Sequence, residues 1–354
     1  MQLVINTFGT FLGKTGDCFE LKAGEEKRLV SAKKVRTILI TTGASLSTDA
    51  IELAIQNNVD VVFLDKTGHP FARIWQSKLG STTKIRRLQL EASEAELGFQ
   101  LVLEWVSTKV QHQIDFLQEL GRHRPGKSEE LERYLGSLRA ALAELHQLSG
   151  SIEQRRSAVM GIEGGAGRAY FAALSFLIPE PFKFQGRSRQ PAKDEFNAML
   201  NYAYGILYSM VERACLLAGL DPFVGFLHAD NYNKKSLVFD LIEPFRIIAE
   251  ETTFYLFSKR QVRREHFDYL HNGVSLNSEG KKLLISAFNS RLEERVRYRG
   301  RNIMRRDIIQ YECHRVANLL LRKAEAKRSQ ESPPDQAQSA QPAGDQQDAR
   351  VGGV

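Results

Sequence analysis

The chain has only three cysteines among its 354 residues, Cys18, Cys215 and Cys313. They are widely separated and odd in number, so they match neither a disulfide framework nor a paired-cysteine zinc site. A reducing cytoplasm is the expected compartment. Long apolar runs are missing too: no stretch approaches the roughly 20 apolar residues of a membrane span. Met1-Gln-Leu-Val-Ile-Asn6 lacks the basic segment and apolar stretch of a secretory leader, so neither secretion nor membrane insertion is expected. No repeat of fixed period occurs, which argues against a solenoid. The glycine-rich stretch Gly164-Gly-Ala-Gly167 lacks a preceding strand and a following Gly-Lys-Ser/Thr, so it does not read as a nucleotide-binding loop.

What is present is ordinary for a folded chain: 42% hydrophobic residues over a length that allows two domains. The net charge of +7 and a pI near 9.2 suggest an acidic partner, most commonly nucleic acid. Residues 1 to about 77 read as a small, mainly β domain. The segments 2–6, 18–21, 34–40, 59–64 and 71–75 are rich in β-branched and aromatic residues, with turn signals between them. A short helix capped by Ser47 or Thr48 interrupts the strands, with Ile51, Ala54 and Ile55 as its apolar stripe. From about 78 to 325 the spacing becomes helical, and a larger all-α domain is expected. Residues 326–354, rich in Ser, Gln, Pro and Ala, read as a disordered tail. The fold class is therefore α+β.

Chemistry is concentrated in two stretches. Gly225-Phe-Leu-His228 and Ser236-Leu-Val-Phe-Asp240-Leu-Ile-Glu243-Pro-Phe-Arg246 place a histidine and two acids within an otherwise apolar run. Charge is costly there unless a partner or a metal compensates it. Upstream, Gly161-Ile-Glu163-Gly164 sets another acid among small residues. Carboxylates with an imidazole suit a divalent metal. Asp240 and Glu243 share one face if their segment is helical, and Pro244 should kink the helix beside them. A solvent-facing acidic pair bridging to Arg246 or to lysines is the plainer explanation, weakened by the apolar residues on every side. A lone histidine is more often a hydrogen-bonded structural residue than a ligand, and the spacing of His228 does not by itself prove coordination. Arginines at 187, 189, 263, 264 and throughout 291–306 can follow a phosphate backbone, or simply form a solvated face.

These segments resemble the CRISPR-associated integrase of spacer acquisition. The likeness is carried by Gly161-Ile-Glu163-Gly164 with Tyr170-Phe171, by Gly225-Phe-Leu-His228 and by Asp240-Leu-Ile-Glu243-Pro-Phe-Arg246. Asn197-Ala-Met-Leu-Asn201-Tyr202-Ala-Tyr204-Gly205 and Gly219-Leu-Asp221-Pro222 add to it, so that it extends to about residue 325. The resemblance implies a metal-dependent DNA endonuclease and integrase that inserts spacers by 3′-hydroxyl attack on repeat DNA. Glu163, His228 and Glu243 would be its catalytic residues and its ligands for Mg²⁺ or Mn²⁺, and Asp240 a supporting acid. Arg187, Arg189, Arg246, Arg299 and Arg301 would contact DNA. The expected partners are double-stranded DNA, a second copy of the chain and a small ferredoxin-like adaptation protein. A non-catalytic DNA-binding scaffold subunit and a repair nuclease for branched DNA are the alternatives.

Overall fold

The computed structural model describes residues 1–65, 68, 70–74, 82–228 and 234–331, with 327–331 described through their backbone alone. The chain opens with β1 (Gln2–Ile5), β2 (Thr10–Thr15), β3 (Cys18–Ala23), β4 (Glu26–Ser31), β5 (Thr37–Ile40), β6 (Ala44–Leu46), α1 (Thr48–Gln56), β7 (Asp60–Leu64) and β8 (Pro70–Ile74). Two four-stranded sheets form, in the orders β1-β5-β7-β8 and β4-β3-β2-β6. In the first, β1, β5 and β7 run parallel, with Val4 opposite Leu39 and Leu39 opposite Val62, and β8 returns antiparallel to β7.

The period of two in these strands explains how one sheet serves two cores. Leu3, Ile5, Ile38, Ile40 and Val61 pack with Leu12, Phe19 and Leu53 into a small core between the sheets and α1. Leu39, Val62 and Leu64, on the opposite face, join the large core of the helical part. Helix α1 begins where Ser47 accepts a hydrogen bond from the Ala50 amide, so serine is the cap.

The helical part comprises α2 (Thr82–Ser93), α3 (Glu96–Arg122), α4 (Ser128–Gln147), α5 (Ile152–Leu177), α6 (Glu195–Leu217), α7 (Ser236–Leu241) and α8 (Arg246–Ser258). It continues with β9 (Phe267–Leu270), β10 (Gly273–Leu276), α9 (Ser278–Glu293), β11 (Arg295–Tyr298), β12 (Arg301–Met304) and α10 (Arg305–Glu331). Helix α6 is buried along nearly its whole length, as its apolar composition on all sides requires. Gly205 on α6 faces the β7–β8 connection, where a Cβ would lie 1.8 Å from the Gly68 carbonyl oxygen, so only glycine permits this approach.

Two antiparallel hairpins, β9–β10 and β11–β12, sit within the stretch that reads as helix in the sequence. The second turns through Arg299 and Gly300, both at positive φ, which is the backbone of a two-residue hairpin turn. Their four-residue strands are too short for alternation to stand out among so many arginines. Trp75, at the end of one expected strand, and the tail beyond Glu331 lie outside the described residues.

Candidate metal centre

Glu163 lies midway along α5, and Glu243 begins a single 3₁₀ turn, Glu243–Phe245, between α7 and α8. Pro244 accounts for that turn, because it has no amide to continue the hydrogen-bond ladder of α7. The expected kink beside the acids is thus a full break. His112 of α3 braces it, its Nδ1 lying 3.0 Å from the Pro244 carbonyl oxygen, which calls for a proton on Nδ1.

The two glutamates meet at a residue that was not among the expected site residues. Lys109 of α3 hydrogen-bonds through Nζ to Glu163 Oε1, and the same Nζ lies 2.6 Å from Glu243 Oε2. The Lys109 and Glu243 side chains are almost fully buried, whereas that of Glu163 keeps 32% of its exposure and opens the site to solvent. Arg246 covers the other oxygen of Glu243, donating from Nε to Oε1 at 2.8 Å. Burial alone would raise the Glu243 carboxyl, but Arg246 and Lys109 overcome it and hold its pKa at about 2. Burial would likewise lower the Lys109 ammonium, yet Glu243 and Glu163 keep it above its ordinary value.

Asp240 organises the neighbouring loop. Buried in α7, it accepts the backbone amides of Phe226 at 2.6 Å, Leu227 at 3.0 Å and His228 at 3.1 Å. Its Oδ1 also lies 2.6 Å from His228 Nδ1. This fixes both the loop and the tautomer, with Nδ1 facing the acid and Nε2 left without the proton. Phe226 stacks on Trp105 of α3, centroids 5.8 Å apart, which seats the loop on the helix that carries Lys109. Gly225 is required by space: a Cβ there would come 2.5 Å from the Ser236 Cβ.

A divalent cation suits the glutamate pair. Two carboxylates from separate elements already converge on one cation, and the buried Glu243 Oε2 makes no hydrogen bond despite its closeness to Lys109. His228 stands apart with Asp240, and among the described residues no three His, Cys, Asp or Glu side chains form a ready metal-binding group.

The five arginines expected at DNA divide into inward and outward sets. Arg187 donates to Asn197 and Asn201 and packs over Phe171 and Tyr204. Arg246, besides Glu243, donates to the Tyr208 hydroxyl and lies over the Tyr204 ring. Arg299 is exposed but ion-paired to Glu104 at 2.5 Å. Arg189 and Arg301 are exposed. Beneath the centre, Tyr204 donates to the buried Glu250 at 2.6 Å, a link not foreseen from sequence.

Lys109 did leave a signal. With Gln113 it interrupts the apolar stripe of α3, between Val106 and Val110, where a buried charge needs a partner.

The fold defines a class of two-part proteins, strand-rich at the N-terminus and helical after it. Solved structures share it, among them the following two. One is a casposase bound to integration product, at TM-score 0.78 and 23% identity over 91% of each chain. The other is a CAS1 protein from Thermotoga maritima, at TM-score 0.74 and 24% identity, covering 91% of this chain and 97% of that one. The family described as CRISPR associated protein Cas1 matches residues 3–290, and the chain belongs to that family. Over 322 residues it is 36% identical to the CRISPR-associated endonuclease Cas1 1 of Archaeoglobus fulgidus, covering 87% of this chain and 93% of that protein. The resemblance carried by the ordered motifs is thereby borne out. No helix among the described residues is long and apolar enough to cross a membrane.

Proposed function

We propose that this protein is a DNA endonuclease and integrase that joins the 3′-hydroxyl ends of captured DNA to repeat DNA, with Glu163, Glu243 and His228 as its metal ligands. The observation that carries this reading is the convergence of Glu163 and Glu243 on one buried cation position, that of Lys109 Nζ. A bound Mg²⁺ or Mn²⁺ would supply Lewis acidity at the scissile phosphate and make the attacking hydroxyl or water more acidic. Asp240 holds His228 with its Nδ1 proton inward and its Nε2 lone pair free to ligate. Arg246 fixes one oxygen of Glu243, which leaves the other as donor. Glu163, the more exposed of the two glutamates on Lys109, opens the centre to solvent and so to a DNA substrate.

The excess of positive charge and the exposed Arg189 and Arg301 support double-stranded DNA as the substrate. Two strand transfers separated across a duplex require two sites, hence a second copy of this chain. A small ferredoxin-like adaptation protein would set their spacing. A second reading, a DNA-binding scaffold without chemistry, draws on the neutralisation of both glutamates by Lys109 and Arg246.

Strand transfer of a short duplex into a repeat-bearing plasmid separates the two. With Mg²⁺ or Mn²⁺, His228→Ala should lose roughly a hundredfold or more of the wild-type rate while remaining folded. Equal rates for the two proteins would favour the scaffold.

A further inference from the structure

Lys109 is the cation that the two glutamates share, and its position has a consequence for metal loading. Its Nζ bonds to Glu163 Oε1 and lies 2.6 Å from Glu243 Oε2, so it occupies the space between the two carboxylates. With Arg246 on the other oxygen of Glu243, two acids are balanced by two bases in a largely buried setting. A divalent ion added to that balance would leave two net positive charges close together where little water screens them. The lysine backbone is fixed within α3, but its four-carbon stem can swing, and the site opens to solvent on the Glu163 side.

We propose that Lys109 is a resident cation which a divalent metal must displace to reach Glu163 and Glu243, so that the protein's own side chain competes with its metal. The proposal rests on the reading of Glu163 and Glu243 as metal ligands. In the metal-free protein the ammonium keeps two facing carboxylates from repelling each other. When the metal arrives the ammonium leaves, and the weakened affinity makes loading responsive to metal concentration.

The test is titration of the full-length protein with Mn²⁺, followed by the electron paramagnetic resonance signal of the free ion. Lys109→Met should bind Mn²⁺ at least about tenfold more tightly than wild type, because one repelling charge has gone. Lys109→Arg, which keeps the charge, should stay near wild type, and Glu243→Gln should bind much more weakly than either. If Lys109→Met binds no more tightly while Glu243→Gln weakens binding, the metal site stands and the role given to Lys109 is wrong. If Glu243→Gln binds as wild type does, the metal-site reading itself fails, and the competition with it. Should Lys109→Met not fold, wild-type protein answers the question by amine acylation read by mass spectrometry. Modification of Lys109 should rise several-fold on Mn²⁺ saturation, and unchanged or reduced modification overturns the proposal.

Discussion

At the scale of residues, two buried glutamates, Glu243 and Glu250, have opposite pH behaviour. Glu243 is held at about 2, below its ordinary 4.5, by Arg246 and Lys109 acting against burial. A carboxyl with a lowered folded pKa adds stability that is complete above 4.5 and is lost as pH falls toward 2. Glu250 has its pKa raised, chiefly by burial, and only one of its oxygens is hydrogen-bonded, to Tyr204. Its ionised form therefore costs stability, and the cost grows as pH rises from 4.5 through the raised value. Glu250→Gln should flatten that part of the profile and leave the acid limb below 4.5 unchanged, as read by urea unfolding at a series of pH values. An unchanged slope above 4.5 would show that Glu250 ionises freely. Acids were legible at this scale because Glu163, Asp240 and Glu243 stand out among apolar neighbours. Lys109 showed only as a break in the apolar stripe of α3, and a lysine on an amphipathic helix usually extends its stem toward water. Its partner Glu163 is 54 residues away in sequence, and only the folded bundle brings them together.

At the scale of elements, the site depends on a loop and a turn set against helices. The Gly225–His228 loop is tied to Asp240 by three amides and is pressed onto α7 at Gly225. Gly225→Ala should cost about 1–3 kcal/mol through overpacking against Ser236, seen as a lowered melting temperature. It should also weaken strand transfer by disturbing His228; a variant as stable and active as wild type would show that the loop yields without consequence. Strands with β-branched runs, such as 59–64, and the serine-capped α1 could be read from sequence because their signals are local. Strands β2, β4 and β6 were missed, since their residues alternate weakly and their pairing is decided by neighbours. The hairpins around 267–276 and 295–304 were hidden for the same reason.

At the scale of the whole molecule, the strand-rich and helical parts are joined by buried polar contacts as well as by Leu39 and Val62. Arg73 of β8 donates to the Ser209 carbonyl of α6 at 2.6 Å and sits between Asp60 and Glu212, each 3.4 Å away. Arg73→Ala would leave two buried acids without it and should destabilise the protein by about 3 kcal/mol, measured by denaturant unfolding. A change under about 0.5 kcal/mol would mean that this contact carries no weight. The charge of the molecule makes a separate prediction. Replacing both Arg189 and Arg301 by alanine should lower the dependence of DNA affinity on salt by about two phosphate contacts, with no change in melting temperature. An unchanged salt slope would place DNA on another surface. The central claim is that Glu163, Glu243 and His228 hold one catalytic metal, and anomalous diffraction from crystals soaked in Mn²⁺ tests it most directly. The account predicts one strong peak within coordination distance of both glutamate carboxylates and of His228 Nε2, with Lys109 Nζ moved away. A saturating soak that leaves Lys109 between the glutamates, with manganese elsewhere or absent, would contradict it.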